Sequence, residues 1–460
     1  MSTENLITQL RQQLGEKAVL SGDAVSERYC SDWSGENPRL PAAVLRPADT
    51  AELSAMLRAC HEADQKIVVQ GGLTGLAGGA TPRAGEVSIS LERMNGIEEI
   101  DADSMTMTVL AGTPLQTVQE AAAEAGYHFA LDLGARGSCN IGGNVSTNAG
   151  GNQVIRYGMA RNQVLGLEAV LADGTVMTSL NKMLKNNAGY DLKHLFIGSE
   201  GTLGIVTRVV LRMRPKLSSR CTALCALKDF DGVVRLLQKT GAELGGTVSS
   251  FEVMWTEYFH YILDNIESLR SPFEESWPFY VLLETEGSDQ DRDFEHFTAV
   301  LADALEADIA GDAVIAQTER DREAFWAIRD GVGEVTPLLM PMANFDVSLP
   351  ISRMHPYLET ITVQLREDFP DIRILIFGHI GDGNLHILTT TGRAEDRPRI
   401  YDIAYRATEE YGGSVSAEHG IGMIKKDYLA YSRTPEELAL MRTLKQALDP
   451  KGILNPGRIF

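Results

Sequence analysis

The run Val69, Gln70, Gly71, Gly72, Leu73, Thr74, Gly75, Leu76, Ala77, Gly78, Gly79 follows directly on a β-branched stretch and places five glycines in its last nine positions. A turn needs one or two glycines. A loop this rich in them lets successive backbone N–H groups converge on one anion with no side chain intervening, which is how a diphosphate is held. A flexible surface turn is the alternative reading. No G-x-G-x-x-G and no G-x-x-x-x-G-K-S/T occurs in the chain, so neither a Rossmann nicotinamide site nor a P-loop explains the run.

Outward from the run the pattern alternates. Helices are expected near the amino terminus, at 49–63 and at 114–125, with strands at 42–45, 67–70, 86–91 and 105–110, which makes an α+β region of mixed strand order. Glycine-rich blocks recur at 134–158 and 198–204, and Pro215 with Lys216 marks a change of composition. Beyond it glycine is sparse, and strands at 280–284 and 373–377 alternate with amphipathic helices at 231–244 and 291–305, the pattern of an antiparallel sheet covered by helices. The expected division is a first domain over 1–217, a cap domain over 218–434, and a helical carboxyl-terminal segment over 435–460 that returns to the first domain.

The chain has 460 residues, 44% of them hydrophobic and 23% charged, enough for more than one core and too apolar for general disorder. Its formal charge of −21 repels nucleic acid and anionic membranes, so an anionic ligand must meet locally placed Arg or Lys. No apolar stretch is long enough to span a membrane and no signal peptide is read at the amino terminus, which predicts a cytoplasmic protein without an integral membrane segment. Five scattered cysteines read as reduced thiols, with Cys221 and Cys225 packed on a strand rather than ligating a metal.

The second block runs Gly134, Ala135, Arg136, Gly137, Ser138, Cys139, Asn140, Ile141, Gly142, Gly143, Asn144, Val145, Ser146, Thr147, Asn148, Ala149, Gly150, Gly151. With Lys185 to Asp191 and Gly198 to Val206, it resembles the FAD-linked oxidoreductases of the vanillyl-alcohol-oxidase type, in the branch of D-2-hydroxyacid dehydrogenases that act on D-2-hydroxyglutarate or D-lactate. The resemblance implies a two-subdomain FAD-binding domain with an antiparallel-sheet cap domain. It implies FAD held by Gln70, Gly71, Gly72, Leu73, Thr74, Gly75 and Leu76, by Gly137, Ser138, Ile141, Gly142, Gly143, Asn144, Thr147, Asn148 and Gly151, and by Glu200, Gly204, Val206 and Asn455. Covalent attachment in such proteins uses His or Cys. The first loop offers Leu73, Leu76 and Ala77, so noncovalent FAD is expected.

A second constellation lies in Gly378, His379, Ile380, Gly381, Asp382, Gly383, Asn384, Leu385, His386 and in Ser416, Ala417, Glu418, His419, Gly420. A strand, a glycine turn and a returning strand bring His379 and His386 together, and Glu418 completes a two-histidine, one-carboxylate set with a position open for substrate. Histidines that merely hydrogen-bond to the turn are the alternative. By the resemblance, His379, His386 and Glu418 hold a divalent metal, zinc, while His419 is the general base and Asn384 lies near flavin and substrate. Oxidising a secondary alcohol beside a carboxylate sends hydride from the α-carbon to flavin N5 and the hydroxyl proton to a base, which such a set serves.

The resemblance also makes Arg329 the clamp for the substrate carboxylate, against pairing with Asp330 or Glu323 on the helix surface. Members acting on D-2-hydroxyglutarate commonly carry Lys where this chain has Asn344, two residues before Asp346, so a monocarboxylate such as D-lactate is an equal expectation. The expected partners are a small 2-hydroxyacid, an external electron acceptor (electron-transfer flavoprotein or quinone) and a second copy in a homodimer. Rival readings are an oxygen-using alcohol or sugar oxidase of the same fold and a catalytically silent flavoprotein subunit of an electron-transfer complex.

Overall fold

A computed structural model describes residues 1–460. Two compact units partition the chain: Met1–Gly151, Gly158–Lys216 and Glu418–Phe460 form the first, and Asn152–Tyr157 with Leu217–Ala417 form the second.

The first unit holds two principal sheets. In one, the strands run Val19–Ser21, Ala43–Leu45, Val87–Ser90, Ile67–Gln70 in spatial order. Ala43–Leu45 and Ile67–Gln70 both lie parallel to Val87–Ser90, which requires a crossover, and the helix Thr50–Glu62 provides it. That helix starts where Asp49 accepts the Glu52 N–H at 2.8 Å, and Leu53, Met56, Leu57 and Cys60 are buried on its inner face. The second sheet is antiparallel, in the order Ile97–Asp101, Thr106–Leu110, Ile205–Arg212, Val164–Val170, Val176–Ser179. Its edge strand Ile97–Asp101 carries three acidic residues and a largely exposed face, and it exists through pairing with Thr106–Leu110 rather than through its own β-propensity.

The carboxyl terminus belongs to this unit. Leu454 bridges Ile67 in parallel, and the Asn455 N–H donates to Ile67 O at 3.0 Å. Arg458 is 1% exposed and pairs through both terminal nitrogens with Glu86, at 2.7 and 3.0 Å, while also donating to Thr81 O.

The second unit is a single seven-stranded antiparallel sheet: Asp312–Ile315, Ser219–Leu227, Phe279–Gly287, Val248–Trp255, Arg373–Gly378, Asn384–Thr390, Ala343–Ser348. Helices including Phe230–Glu243, Gln290–Glu306 and Ile351–Asp368 cover it. Every residue of Val248–Trp255 is buried, as in a strand covered on both faces. Tyr258, Phe259, Tyr280 and Phe377 pack into one core with Leu224 and Leu388. The architecture is therefore an α+β unit built on two principal sheets, and a second unit of one antiparallel sheet covered by helices. No helix is long and apolar enough to cross a membrane.

Removing one partner of the buried Arg458–Glu86 pair leaves an uncompensated charge, so Arg458→Ala should cost about 3–5 kcal/mol, read as a lower midpoint in urea unfolding followed by far-UV dichroism.

Candidate functional site

The glycine run leaves the end of the strand Ile67–Gln70. None of the backbone N–H groups from Gly71 to Gly79 donates to an acceptor within the protein, so the hydrogen-bonding capacity of this row is unspent. A diphosphate fits that row, because its oxygens only accept. Leu73 sits at φ 59°, a left-handed conformation that costs a branched residue roughly 1–3 kcal/mol and recurs at ligand-binding loops. Asp32 holds the middle and far end of the loop: its carboxylate accepts from Ala80 N–H at 3.2 Å and from Ser34 N–H at 3.2 Å, and Ser34 N–H donates to Gly75 O at 3.1 Å. Burial raises the Asp32 carboxyl pKa, against the hydrogen bonds it accepts.

The second block lies against the first by contacts that forbid a side chain. A Cβ at Gly72 would stand 2.0 Å from Ser138 O, one at Gly71 2.6 Å from Asn140 Oδ1, and one at Gly142 2.7 Å from the Ala111 Cβ. These three glycines are demanded by the neighbouring chain as well as by any ligand. Gly151, at φ 109°, is pressed against Asp132 O, and Gly204 against the Phe196 ring. Gly143 N–H donates to Asn140 Oδ1, Thr147 Oγ1 to Gly143 O, and Asn148 Oδ1 accepts from Arg161 N–H. Gly137 and Ser138 are exposed, while Ile141 and Val206 are buried in the core of the unit. Gln70 Oε1 and Asn144 Oδ1 are buried acceptors with no partner in the protein, as polar groups awaiting a ligand would be. Thr74 and Leu76 lie partly exposed on the loop. The side chain of Asn455 is already engaged, accepting from Val69 N–H at 2.8 Å and donating to Glu200 O at 2.6 Å.

In the second unit, the strands Arg373–Gly378 and Asn384–Thr390 flank the turn Ile380–Asp382, which Gly383 closes at φ 89°. Their register pairs Phe377 with His386 and places the His379 and His386 rings 5.2 Å apart, nearly perpendicular. Two carboxylates lie beside these rings. Glu252 Oε1 is 2.6 Å from His379 Nδ1, and Asp346 Oδ1 is 3.9 Å from His386 Nδ1, with Asp346 directly across the sheet from His386. The Glu252 hydrogen bond fixes the His379 ring, whereas Asp346 lies beyond hydrogen-bond distance of His386 Nδ1; two imidazoles this close are donors that fit a divalent ion of the zinc type.

Arg329 is 7% exposed and bound to Glu252 through Nε at 2.9 Å and Nη2 at 2.8 Å, and to Asp330 through Nη1 at 3.1 Å. Its Nη2 lies 3.2 Å from His379 Nε2 and 3.5 Å from Nδ1. A nitrogen nearly equidistant from both ring nitrogens is not aligned with either lone pair. Burial alone would lower the pKa of Arg329, but Glu252 and Asp330 more than reverse this and keep it charged. Burial likewise works to raise Glu252, and Arg329 with His379 holds it below the ordinary carboxylate range. Nε donates to Glu252 and Nη1 to Asp330, while Nη2 faces both the Glu252 carboxylate and the His379 ring, which leaves one N–H on Nη1 without a partner. Asn384 donates to Asp346 Oδ1 at 3.0 Å and to Val347 O at 3.0 Å, and its buried Oδ1 has no partner. Asn344 shares a sheet face with Asp346, and its side-chain amide makes no hydrogen bond within the protein.

Glu418 and His419 belong to the first unit. Gly151 N–H donates to Glu418 Oε1, and the chain beyond turns through Gly420 and Gly422, at φ 77° and 53°. Glu200 accepts both following N–H groups there, from Ile421 at 2.7 Å and Gly422 at 2.8 Å.

Two functional side chains carry no motif in the sequence. Glu252 is the one acidic residue in the buried strand Val248–Trp255, which is the signal that could have found it. Asp32 stands in an irregular polar stretch and has no such signal.

Residues 216–459 match the model of the family described as FAD linked oxidases, C-terminal domain, and residues 41–179 match that of the FAD binding domain. A D-2-hydroxyglutarate dehydrogenase, mitochondrial, of Arabidopsis thaliana is 40% identical over 457 residues, covering 99% of this chain and 81% of the relative. A D-2-hydroxyglutarate dehydrogenase of Xanthomonas citri pv. viticola is 37% identical over 465 residues, covering 100% and 97%. The solved p-cresol methylhydroxylase has the same fold at a TM-score of 0.78 and 16% identity, over 99% of this chain and 96% of that one.

Gly72→Ala should force the two glycine blocks apart, and the purified protein should lose most of its bound flavin on gel filtration. Gly134→Ala, with nothing within 4 Å of the added Cβ, should keep it. Equal flavin-to-protein absorbance ratios in the two variants would refute this account.

Proposed function

The chain belongs to the FAD-linked oxidases as an FAD-dependent D-2-hydroxyacid dehydrogenase, and from that premise we propose that a divalent metal, zinc, assists the reaction at His379, His386 and Glu418. The observation that carries the proposal is the approach of the His379 and His386 rings to 5.2 Å, with His379 oriented by Glu252. Ala417 N–H donates to Asp346 O at 3.1 Å, and Glu418 is the next residue, its Cα one peptide link of about 3.8 Å further on. When bound, FAD supplies a two-electron acceptor and the metal supplies positive charge that favours ionisation of the substrate hydroxyl.

The protein's own groups do the rest. The guanidinium of Arg329 receives the substrate α-carboxylate at its Nη1 side, and its charge is already oriented by Glu252, so none of it is spent on reorganisation. His419 takes the hydroxyl proton. Asn384, locked by Asp346 and Val347, offers its Oδ1 to the substrate side. FAD is noncovalent, held by the N–H row of Gly71 to Leu76 and by the second block from Gly137 to Gly151, with the unpartnered Gln70 and Asn144 oxygens as further contacts. Gly204 and Val206 shape the protein behind that surface. Electrons leave for an external acceptor, an electron-transfer flavoprotein or a quinone. The cytoplasm is the proposed compartment, consistent with five free cysteines.

Chelation should abolish turnover and leave FAD bound, because the flavin contacts do not involve the histidines. His386→Ala should reproduce that result, whereas His419→Ala should keep its metal and lose about two to four orders of magnitude in flavin reduction. Full activity after chelation, with metal absent by elemental analysis, would take the metal out of the mechanism.

Substrate choice turns on Asn344. Installing Lys there should shift kcat/KM toward D-2-hydroxyglutarate over D-lactate by about 1.5–3 kcal/mol, the range of a desolvated charge-assisted hydrogen bond. A strong native preference for the dicarboxylate that Asn344→Lys leaves unchanged would show that another cation receives the distal carboxylate.

A further inference from the structure

The carboxylate of Glu200 accepts one backbone N–H on each oxygen, Ile421 on Oε1 and Gly422 on Oε2. Nothing in the redox chemistry uses this carboxylate, yet the chain accepts a strained conformation to place it. Glu200 has φ 51°, and its main chain is pinned by a 2.8 Å bond from its N–H to Ser146 O and by Asn455 Nδ2 on its carbonyl. The segment it grips is the one that carries Glu418 and His419. That segment rests on the glycine loop as well: Met423 N–H donates to Ala77 O at 2.9 Å, and a Cβ at Gly422 would lie 2.1 Å from the same oxygen. Gly420 fits equally tightly, since a Cβ there would stand 2.9 Å from Glu200 Oε1.

We infer that Glu200 is a positioning residue that docks the Glu418–Met423 segment onto the loop Gly71–Gly79, so that the general base is placed by the same backbone that receives the FAD diphosphate. The inference rests on the base assignment to His419 and goes beyond it by naming what holds that base. An amide cannot substitute for the carboxylate. One of its two positions would be an NH2 group facing a backbone N–H, a donor set against a donor.

The test uses holoenzyme of wild type, Glu200→Gln, His419→Ala and the double variant. Anaerobic flavin reduction by D-2-hydroxyglutarate and by D-lactate is measured per bound flavin, and hydrogen exchange is followed by mass spectrometry over 418–424. Glu200→Gln should exchange that segment at least tenfold faster while a peptide from the strand Phe279–Gly287 is unchanged. It should also reduce flavin at least tenfold more slowly, the scale expected when a reacting group is displaced by about 1 Å. In the His419→Ala background, Glu200→Gln should add a smaller fold-loss than it causes alone, because the base it positions is gone and only Glu418 is left to displace. Unchanged exchange over 418–424, an unchanged rate per bound flavin, or penalties that multiply in the double variant would each overturn the inference. A wild-type rate in His419→Ala alone would instead overturn the base assignment, and the exchange data would still decide whether Glu200 docks the segment. Should Glu200→Gln fail to fold, Gly420→Ala presses on the same carboxylate from the opposite side and must slow flavin reduction likewise; an unaffected rate there would also overturn the inference.

Discussion

The first unit depends on a close approach of backbone to backbone that only glycine allows. At Gly72 a Cβ would stand 2.0 Å from Ser138 O, so the loop that ends the strand Ile67–Gln70 and the block that opens the helix Ile141–Thr147 lie in direct main-chain contact. Several other features hang on that loop. Asp32 ties its far end, Asn455 pins the strand before it, and Ala77 receives the segment that follows Glu418. The loop's own N–H groups are left out of secondary structure. The cost is a strained Leu73 and a set of glycines that contribute nothing to the core.

The second unit solves a different problem, how to keep charge in an apolar sheet. Glu252 stands in a wholly buried strand, an arrangement that would be costly for a lone carboxylate. It is compensated by Arg329, and both are then put to use, since Glu252 also orients His379. One buried acid thus couples Arg329 to His379. Asp346, on the neighbouring strand Ala343–Ser348, anchors Asn384 and lies 3.9 Å from His386. The sheet acts as a rigid frame whose cross-strand register, Asp346 opposite His386 and Phe377 opposite His386, sets the distances.

Much of this is legible in the amino-acid sequence. The strand 67–70, the helices at 49–63 and 114–125 and the antiparallel character of the cap follow from periodicity and turn residues, whose rules are local. The family, and with it the oxidation of a D-2-hydroxyacid, is legible in the glycine blocks and in the two histidine motifs. The exposed edge strand Ile97–Asp101 is not, because three acidic residues in five positions conceal a strand that exists through its neighbour. Arg329 shows the same limit. Its pairing with Asp330 can be anticipated from adjacency, but its pairing with Glu252 joins residues 77 positions apart.

The sequence by itself determined the residue types and their local grouping: glycines where backbone must meet backbone, two histidines across a Gly-Asp-Gly turn, and an Arg near the end of a helix. These are properties of short stretches, in which spacing along the chain equals spacing in space. Only the tertiary structure decided that Glu252 and Asp346 stand behind the histidines, that Asn455 fastens the glycine loop, and that Glu200 grips the turn after His419. Those pairings close loops of tens to hundreds of residues. No periodicity records them, because their energy comes from burial and register in the assembled sheets rather than from the segments that meet.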